Sequence, residues 1–426
     1  MNLVFTLEYR FDRLPDGSVW TQASFPYSFW NCYLQVFDSV RVVARVRDVS
    51  DIPVGWKCAD GERVSFVAVP YYVGPEQFAL KAASVSRTVR GAVAPADAVI
   101  MRVPSHLANI LTPFLKRKRQ PYAVEVVGDP YDVFVPGAVR HPLRFFFHWW
   151  FTRHLKWQCS QACGAAYVTE YTLQRRYPPG QEAYSTTYSG VQLTDRAFTA
   201  PRSFEPATFT TFYTDGVLTD EDYCLVSYAS HGTKEQALIL VTVASLAQPY
   251  KGIDVLIDAV AMCTRDGLNL KLVIVGDGKY RQELEARAVA HSLGARVSFM
   301  GQLPAGAAVR AQLDAANLFV LPSRTEGLPR AMIEAMARGL PCIGSQVGGI
   351  PELLPPEDMV PPNDANALAS KIKEVISSPQ RMVHMSECNF AKSHEYHENV
   401  LRGRRLAFYK HVRHVTEQWQ RTRAIR

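Results

Sequence analysis

The C-terminal half of the chain alternates apolar runs with amphipathic segments in a regular way. From Leu238 onward, runs such as LILVTVASL and LKLVIVGDG are separated by segments of helical periodicity, and the pattern continues through RVSFMG, LFVLPS and PCIGSQ. Apolar runs of about four to eight residues between helices of about ten to fifteen are typical of βαβ units around a buried parallel sheet. The pattern predicts a doubly wound α/β domain.

The N-terminal half repeats this alternation less regularly. Apolar runs at 40–46, 64–70, 98–104 and 122–129 predict strands of a second α/β domain. The stretch from about Ser189 to Lys234 is rich in Thr, Ser, Asp and Pro and lacks periodicity, which favours a linker. We predict a first domain at 1–195, a linker at 196–236, a second domain at 237–395, and a helical segment at 396–426 that packs back on the first domain.

Length and charge narrow the class of protein. A chain of 426 residues with 47% apolar residues exceeds one core, so two domains and a cleft are expected. The net charge of +7 is scattered, and we predict no nucleic-acid partner. The first thirteen residues include acidic ones and lack a signal-like apolar run, which favours the cytoplasm. The chain also lacks an apolar run of the roughly 18–20 residues that a spanning helix needs.

Chemistry is expected at the carboxyl ends of the C-terminal strands, where open α/β sheets bind ligands. After LFVLPS, Gly327 permits close backbone approach, and a helix is expected to begin near Leu328 or Pro329. Its free N–H groups suit a diphosphate. With about 1.5 Å of rise per residue, Glu334 lies roughly 7–8 Å inside that helix, within reach of ribose hydroxyls. The alternative is a surface carboxylate on an amphipathic helix.

Further strand ends carry a cation and glycines. Lys251 stands beside Gly252 at the mouth of a helix, where it can neutralise phosphate, or where it is only a solvated charge. Gly276-Asp277-Gly278 reads mainly as a tight turn, and Gly348-Gly349 forms a glycine-rich loop near the same edge.

Four segments in this order resemble the retaining glycosyltransferases of family 4, which have the two-lobed GT-B fold. They are YKGIDVLIDA (250–259), LVIVGDG (272–278), VSFMGQL (297–303) and LFVLPSRTEGLPRAMIEAMARGLPCIGSQVGGIPE (318–352). The resemblance covers about 238–378 and includes the E-x(7)-E signature at Glu326 and Glu334. It implies two Rossmann-like doubly wound domains that face a central cleft, with the acceptor side at 1–195 and nucleotide-sugar binding at 237–395.

The resemblance also implies roles for single residues. Glu334 would bind the donor ribose, Lys251 the diphosphate, and Glu326 would lie at the transferred sugar. Gly327 and Leu328 would offer backbone contacts. The remaining donor-side candidates are Ser245, Gly276 and Gly301. The implied reaction is a metal-independent, retaining transfer from a nucleotide diphosphate sugar to a glycan or lipid-linked acceptor, without a cofactor.

This sequence departs from the family pattern at several positions. Ser245 stands where family members commonly carry an Arg, so phosphate binding would depend more on Lys251. Val127 stands where a His is usual, and Asp129 is the candidate substitute. Residues 9–20 replace the family's N-terminal glycine-rich loop, and we interpret them as an acceptor-side loop with Asp16 and Gly17 at its tip, or as a plain turn.

Two sets of residues resemble metal ligands but are expected not to bind metal. Asp220-Glu221-Asp222 matches an Asp-x-Asp pattern but falls in the predicted linker. His141, His148 and His154 lack an accompanying carboxylate or thiol cluster. We therefore predict no metal site.

Basic and aromatic residues in the first half raise a membrane hypothesis. The run at 116–119 is entirely Lys and Arg, and the stretch at 140–156 interleaves cations with Phe and Trp, as an interfacial segment on an anionic membrane would. A solvated helix end and core packing are the alternatives.

Two alternatives to a glycosyltransferase remain for the function of the chain. One is a nucleotide-sugar 2-epimerase of similar fold, and the other is a non-catalytic nucleotide-sugar-binding protein.

Overall fold

The computed structural model describes residues 1–22, 24–134, 143–191, 193–204 and 237–424. The N-terminal strands in this part of the chain are β1 Asn2–Arg13, β2 Val19–Thr21, β3 Ser39–Asp48, β4 Lys57–Cys58, β5 Val64–Val69, β6 Ala98–Val103, β7 Ala123–Val126, β8 Gly164–Tyr167 and β9 Tyr184–Thr187. The helices among them are α1 Asn31–Leu34, α2 Gly74–Gly91, α3 His106–Lys118, α4 Pro130–Val133, α5 Arg144–Gln161 and α6 Thr172–Arg176.

The C-terminal half contains a second set of elements. Its strands are β10 Leu238–Val243, β11 Leu270–Val275, β12 Val297–Gly301, β13 Leu318–Leu321, β14 Cys342–Ser345 and β15 Met359–Val360. Its helices are α7 Ile253–Arg265, α8 Arg281–Ala290, α9 Ala307–Asp314, α10 Arg330–Ala337, α11 Ala365–Ile376, α12 Pro379–Ser393 and α13 Glu398–Ala424.

The order of the parallel strands places a crevice in each sheet. In the first sheet, β5-β3-β1-β6-β7-β8-β9 are all paired in parallel. In the second, the order is β12-β11-β10-β13-β14-β15, again parallel throughout. Strand order reverses between β10 and β13, and ligands of doubly wound sheets bind outside the carboxyl ends at such a reversal.

The interpretation of residues 9–20 as a loop is wrong for most of that stretch. Strand β1 continues through Arg13, and β2 returns antiparallel to it, pairing Asp12 with Trp20. The cause is strand pairing on both sides: β3 pairs with β1 in parallel as far as Arg13, opposite Asp48, and Phe11 is buried in the core. Only the turn at about 14–18 is therefore irregular.

Helix α13 returns from the C-terminal domain to the first one. It packs against α1 and against β6, β8 and β9. Leu401, Phe408, Tyr409 and Val412 are buried in this contact. By contrast, the described end of the predicted linker is fastened to the C-terminal domain, since the Arg202 guanidinium donates to the Leu313 carbonyl at 2.9 Å.

The carboxyl edges of the two sheets face each other. Gly327, which follows β13, lies so close to the segment after β7 that a Cβ added to it would be 3.0 Å from the Val127 carbonyl oxygen. Glu352, beyond β14, contacts the segment after β8. The cleft between the domains is therefore bordered by the strand ends at which the sequence analysis predicted ligand binding.

Candidate donor and acceptor sites

A lysine–glutamate pair occupies the reversal point between β10 and β13. The Lys251 ammonium donates to Glu326 Oε1 at 2.6 Å, and the Ser323 hydroxyl donates to the same oxygen at 2.7 Å. The turn that presents Lys251 requires glycine at the next position. Gly252 has φ of +67°, and a Cβ there would lie 2.0 Å from the Pro322 carbonyl oxygen. The structure thus brings together two residues that the sequence analysis assigned to the site.

Arg324 fastens the Lys251 loop, and the sequence analysis missed it. Its guanidinium forms a bidentate pair with Asp254 at 2.9 and 2.7 Å, and its backbone N–H donates to the Tyr250 carbonyl at 2.7 Å. Burial would raise the pKa of Asp254, but the hydrogen bonds and charge of Arg324 outweigh it and lower that pKa. Its place in the same S-R-T-E-G loop as Glu326 was the available signal.

Glu334 lies inside helix α10, which begins at Arg330 next to the predicted start. The carboxylate is partly buried and has no hydrogen bond or ion pair to another residue in the described ranges. Burial raises its pKa, and Arg330 and Arg310 partly offset this. A carboxylate without a protein partner in such a place can accept hydrogen bonds from ligand hydroxyls.

The glycine-rich loop after β14 supports the backbone of the site. The Gly349 N–H donates to the Gly327 carbonyl at 2.7 Å. Leu328 is buried at the start of the segment that leads into α10. The backbone of the Glu326–Leu328 turn is therefore held from one side by this loop and faces the N-terminal domain on the other.

The other donor-side candidates lie along the same edge of the sheet. The Gly276 N–H donates to the Gly301 carbonyl at 2.9 Å, which joins the ends of β11 and β12. Ser245 is exposed after β10, and its hydroxyl accepts from the Ala247 N–H at 3.3 Å. Their donor-binding roles remain predictions, because their positions show only that they share this edge.

Asp129 does not present a free carboxylate to the cleft. It is buried, and one oxygen accepts from the Tyr177 hydroxyl at 2.5 Å and from the Tyr131 N–H at 2.9 Å. The other oxygen pairs with Arg176. This geometry favours a role in capping α4 and positioning the strand end, while its catalytic assignment stays a prediction.

A buried carboxylate near Val127 was not found from the sequence. Glu125 accepts from the hydroxyls of Tyr33 at 2.8 Å and Tyr188 at 3.0 Å, and from Arg102 at 3.1 Å. Burial and the charge of Glu125 raise the pKa of both tyrosines, so they remain donors. A cavity of about 80 Å³ beside this cluster is also lined by Val127. We call this group the Glu125 cluster.

Asp16 and Gly17 form the tip of the β1–β2 turn. One Asp16 oxygen accepts from the N–H and the hydroxyl of Ser18, at 2.9 and 2.6 Å. These bonds lower the pKa of the Asp16 carboxyl. They explain the turn, and the acceptor-side role of both residues stays a prediction.

Glu352 connects the two domains. Its carboxylate accepts from the N–H groups of Glu170, Tyr171 and Thr172, the latter two at 3.2 and 2.8 Å. The residue is buried. Three N–H donors to one carboxylate make a charge-assisted contact, which we call the interdomain latch.

The described residues include only part of the sequence on which the metal and membrane hypotheses rest. Asp220-Glu221-Asp222 and His141 lie outside the described residues. His148 packs on Tyr131, and the His154 ring bonds to the Trp150 carbonyl at 2.8 Å. Across the part of the chain that the structure describes, no three His, Cys, Asp or Glu side chains are grouped as metal ligands, and no helix has the length and apolar character to cross a membrane. Metal independence stays a prediction.

The carboxyl edges of the two Rossmann-like sheets face each other, and a polar site lies at the reversal point. This arrangement defines the GT-B class and confirms the predicted fold. Solved structures agree. Sucrose-phosphate synthase from Thermosynechococcus elongatus has a TM-score of 0.62 at 17% identity, over 100% of both chains. Anabaena HepE in complex with UDP and glucose has 0.59 at 15% identity, over 99% of both.

Sequence comparisons match part of the chain to a family. Residues 227–391 match the family model "Glycosyl transferases group 1". Protein CapJ of Staphylococcus aureus is 25% identical over 386 residues, covering 89% of this chain and 88% of CapJ. The putative colanic acid biosynthesis glycosyltransferase WcaL of Escherichia coli is 35% identical over 144 residues, only 32% of this chain and 35% of WcaL.

Proposed function

We propose that this chain transfers a sugar from a nucleotide diphosphate sugar to a glycan or lipid-linked glycan, with retention of anomeric configuration and without metal. The observation that carries the proposal is the arrangement at the β10/β13 reversal. There Lys251 pairs with Glu326, and Glu334 has no hydrogen bond or ion pair with any residue that the structure describes. HepE has been solved with UDP-glucose, and WcaL is named for colanic acid biosynthesis. Both names support the proposed donor and product classes.

The donor side supplies the proposed chemistry. When the donor binds, the Lys251 ammonium leaves Glu326 and pairs with the diphosphate, because a phosphate oxygen competes with the carboxylate for the same ammonium. Glu334 accepts hydrogen bonds from the ribose, and the N–H groups near Leu328 meet the diphosphate at the start of α10. Ser245, Gly276 and Gly301 complete the donor wall. Glu326, released from Lys251, faces the transferred sugar.

Retention follows from how the leaving group is handled. The departing diphosphate, stabilised by Lys251 and by the helix start, accepts the proton of the acceptor hydroxyl on the face it leaves. Chemistry then depends on preorganised charge stabilisation, where loss of one contact costs about 10²–10³ in rate. We expect a larger rate loss for Lys251→Ala than for Asp129→Ala, because Asp129 is engaged by Tyr177 and Arg176.

A thermal-shift panel of nucleotide diphosphate sugars identifies the donor. A ligand present at about 100 times its dissociation constant stabilises the fold by about 2.7 kcal/mol. The responding donor is then incubated with acceptor extract in excess EDTA, and the product linkage is examined by NMR. An inverted anomeric centre refutes retention, and manganese-dependent activity returns attention to Asp220-Glu221-Asp222. Epimerised free donor identifies an epimerase, and binding without transfer or hydrolysis a binding protein.

Peripheral contact with an anionic membrane is part of the same proposal. Residues 116–119 are exposed, and Lys116 lies near Trp157 and bonds Gln161, so the basic end of α3 adjoins α5. Binding to vesicles that contain anionic lipid should be strong at low salt and decline as salt screens the charges. Absence of binding at low salt would contradict this contact.

A further inference from the structure

A broad apolar groove opens on the N-terminal domain next to the cleft. It has a volume of about 510 Å³, within the roughly 300–1,000 Å³ common for ligand pockets. Its lining includes Pro104, Pro130, Val133 and Phe151, together with Gln248 from the C-terminal domain. Gln248 precedes the Pro249–Lys251 turn. The groove therefore reaches the diphosphate end of the proposed donor site.

Aromatic rings form one wall of this groove. Phe134 stacks on Phe151 with ring centroids 5.9 Å apart, and Phe151 meets His106 edge-on at 4.8 Å. Burial lowers the pKa of His106, which leaves it uncharged at neutral pH. The wall is thus apolar in character, although Glu8 and Arg45 line the groove at another point.

The first turns of α5 extend this apolar surface outward. Phe145, Phe146 and Trp149 are 77%, 49% and 54% exposed. Contiguous exposed aromatics of this kind mark contact with a membrane or a partner. Neither 106–119 nor 144–161 contains an acidic residue, and they carry four and three Lys or Arg residues respectively. The charge of these two adjoining helices is therefore complementary to an anionic bilayer.

We propose that the groove binds the apolar chain of a lipid-linked acceptor and guides its head group from an anionic membrane into the cleft. This rests on the proposed transfer to a lipid-linked acceptor. The charge of α3 and α5 favours an anionic membrane as the source of this chain, and continuity with Gln248 places the head-group end of the chain beside the donor. An apolar chain matches the apolar lining of this groove better than the hydroxyl groups of a soluble glycan do.

The test uses octyl, decyl and dodecyl phosphate, below their micelle concentrations, as probes for the full chain in calorimetry. Each CH₂ added within the groove should tighten binding about fourfold. Val133→Lys should abolish this dependence by placing a charge on the lining, and Val133→Trp should weaken it by filling the groove. Val289→Lys is the matched control, because Val289 is also an exposed helical valine, on the other domain.

Three outcomes would refute the proposed role of the groove. The wild type would bind the three probes equally, both folded Val133 variants would keep the dependence of affinity on chain length, or Val289→Lys would lose it. A wild-type dimer that Val133→Lys dissociates would assign the surface to a second copy instead. Donor thermal shifts are measured on the same samples. Their absence from the wild type would refute the proposed function alone, since probe binding does not require a donor.

Discussion

Replacement of Lys251 by Met, compared with Glu326→Gln and with the double variant, separates the proposed contact of Lys251 with the donor from its contact with Glu326. The side chains of Lys251 and Glu326 are 16% and 7% exposed, so the substitution leaves a nearly buried carboxylate with the Ser323 hydroxyl. Breaking a buried pair costs about 3–5 kcal/mol, and the residual exposure of Lys251 favours the lower end. A loss of about 3 kcal/mol lowers the melting temperature of a domain of this size by about 6–12 °C.

The expected catalytic loss is separate from this destabilisation. Without the ammonium, the departing diphosphate loses one charge contact, and kcat/KM should fall by about 10²–10³. Glu326→Gln and the double variant complete a thermodynamic cycle. The double variant should regain most of the melting temperature, because no uncompensated charge remains.

Activity in the cycle decides between a direct and an indirect role. If the double variant is as active as Glu326→Gln alone, Lys251 acts only by positioning Glu326, and the donor assignment is refuted. Lys279→Met is the matched control. Lys279 lies 5.1 Å from the Tyr280 ring, as Lys251 does from Tyr250, but it is exposed and away from Glu326. It should alter neither melting temperature nor rate.

Three further substitutions test other parts of the cleft. Burial raises the pKa of Glu334 in the fold, so its ionised form costs stability above that pKa and the cost vanishes as pH falls through it. Glu334→Gln should therefore raise the melting temperature at neutral pH yet weaken donor binding. The donor affinity of the wild type should fall on acidification. A Glu334→Gln variant with a lower melting temperature and unchanged donor affinity would contradict the strained carboxylate and its role in donor binding. Glu352→Gln should weaken the interdomain latch by about 1.5–3 kcal/mol and enlarge the radius of gyration in X-ray scattering, and an unchanged radius and rate would argue against a latch. In Gly252→Ala the alanine must adopt a left-handed conformation, which costs about 1–2 kcal/mol, while its Cβ displaces Pro322. Calorimetry should therefore show lower stability and donor titration a lower affinity. Wild-type values in both measurements would disprove the proposed constraint.

The C-terminal domain could be predicted from the sequence because its signals are local. Strand β13, for example, is buried throughout and has the continuous apolar sequence LFVL. The site residues Lys251 and Glu326 each lie in the connection that follows a strand, β10 and β13 respectively, so the topology brings both connections to one edge. Their hydrogen bond did not follow from the pattern, since it depends on the rotamers that Ser323 and the Gly252 turn permit.

The N-terminal side of the cleft depends on contacts between distant parts of the chain. Glu125 is 92 and 63 positions from Tyr33 and Tyr188, and Glu352 is 180 positions from Thr172. No periodicity records such pairings. The sequence left both membrane contact and core packing open for the stretch at 140–156 for a similar reason: a run of Phe and Trp has the same composition in a core and on a surface, and only its neighbours distinguish the two.

The cleft itself is closed largely through backbone groups, and this bears on the missing histidine at Val127. Gly327 approaches the Val127 carbonyl oxygen, and Glu352 binds the N–H groups after β8, so neither contact depends on the side chain at position 127. The nearby carboxylates of Glu125 and Asp129 are already engaged by tyrosine and arginine donors. A group that must take up the acceptor proton is therefore not supplied by either of them without breaking a buried network. We infer that this demand falls on the departing diphosphate, whose charge Lys251 and the start of α10 hold in place.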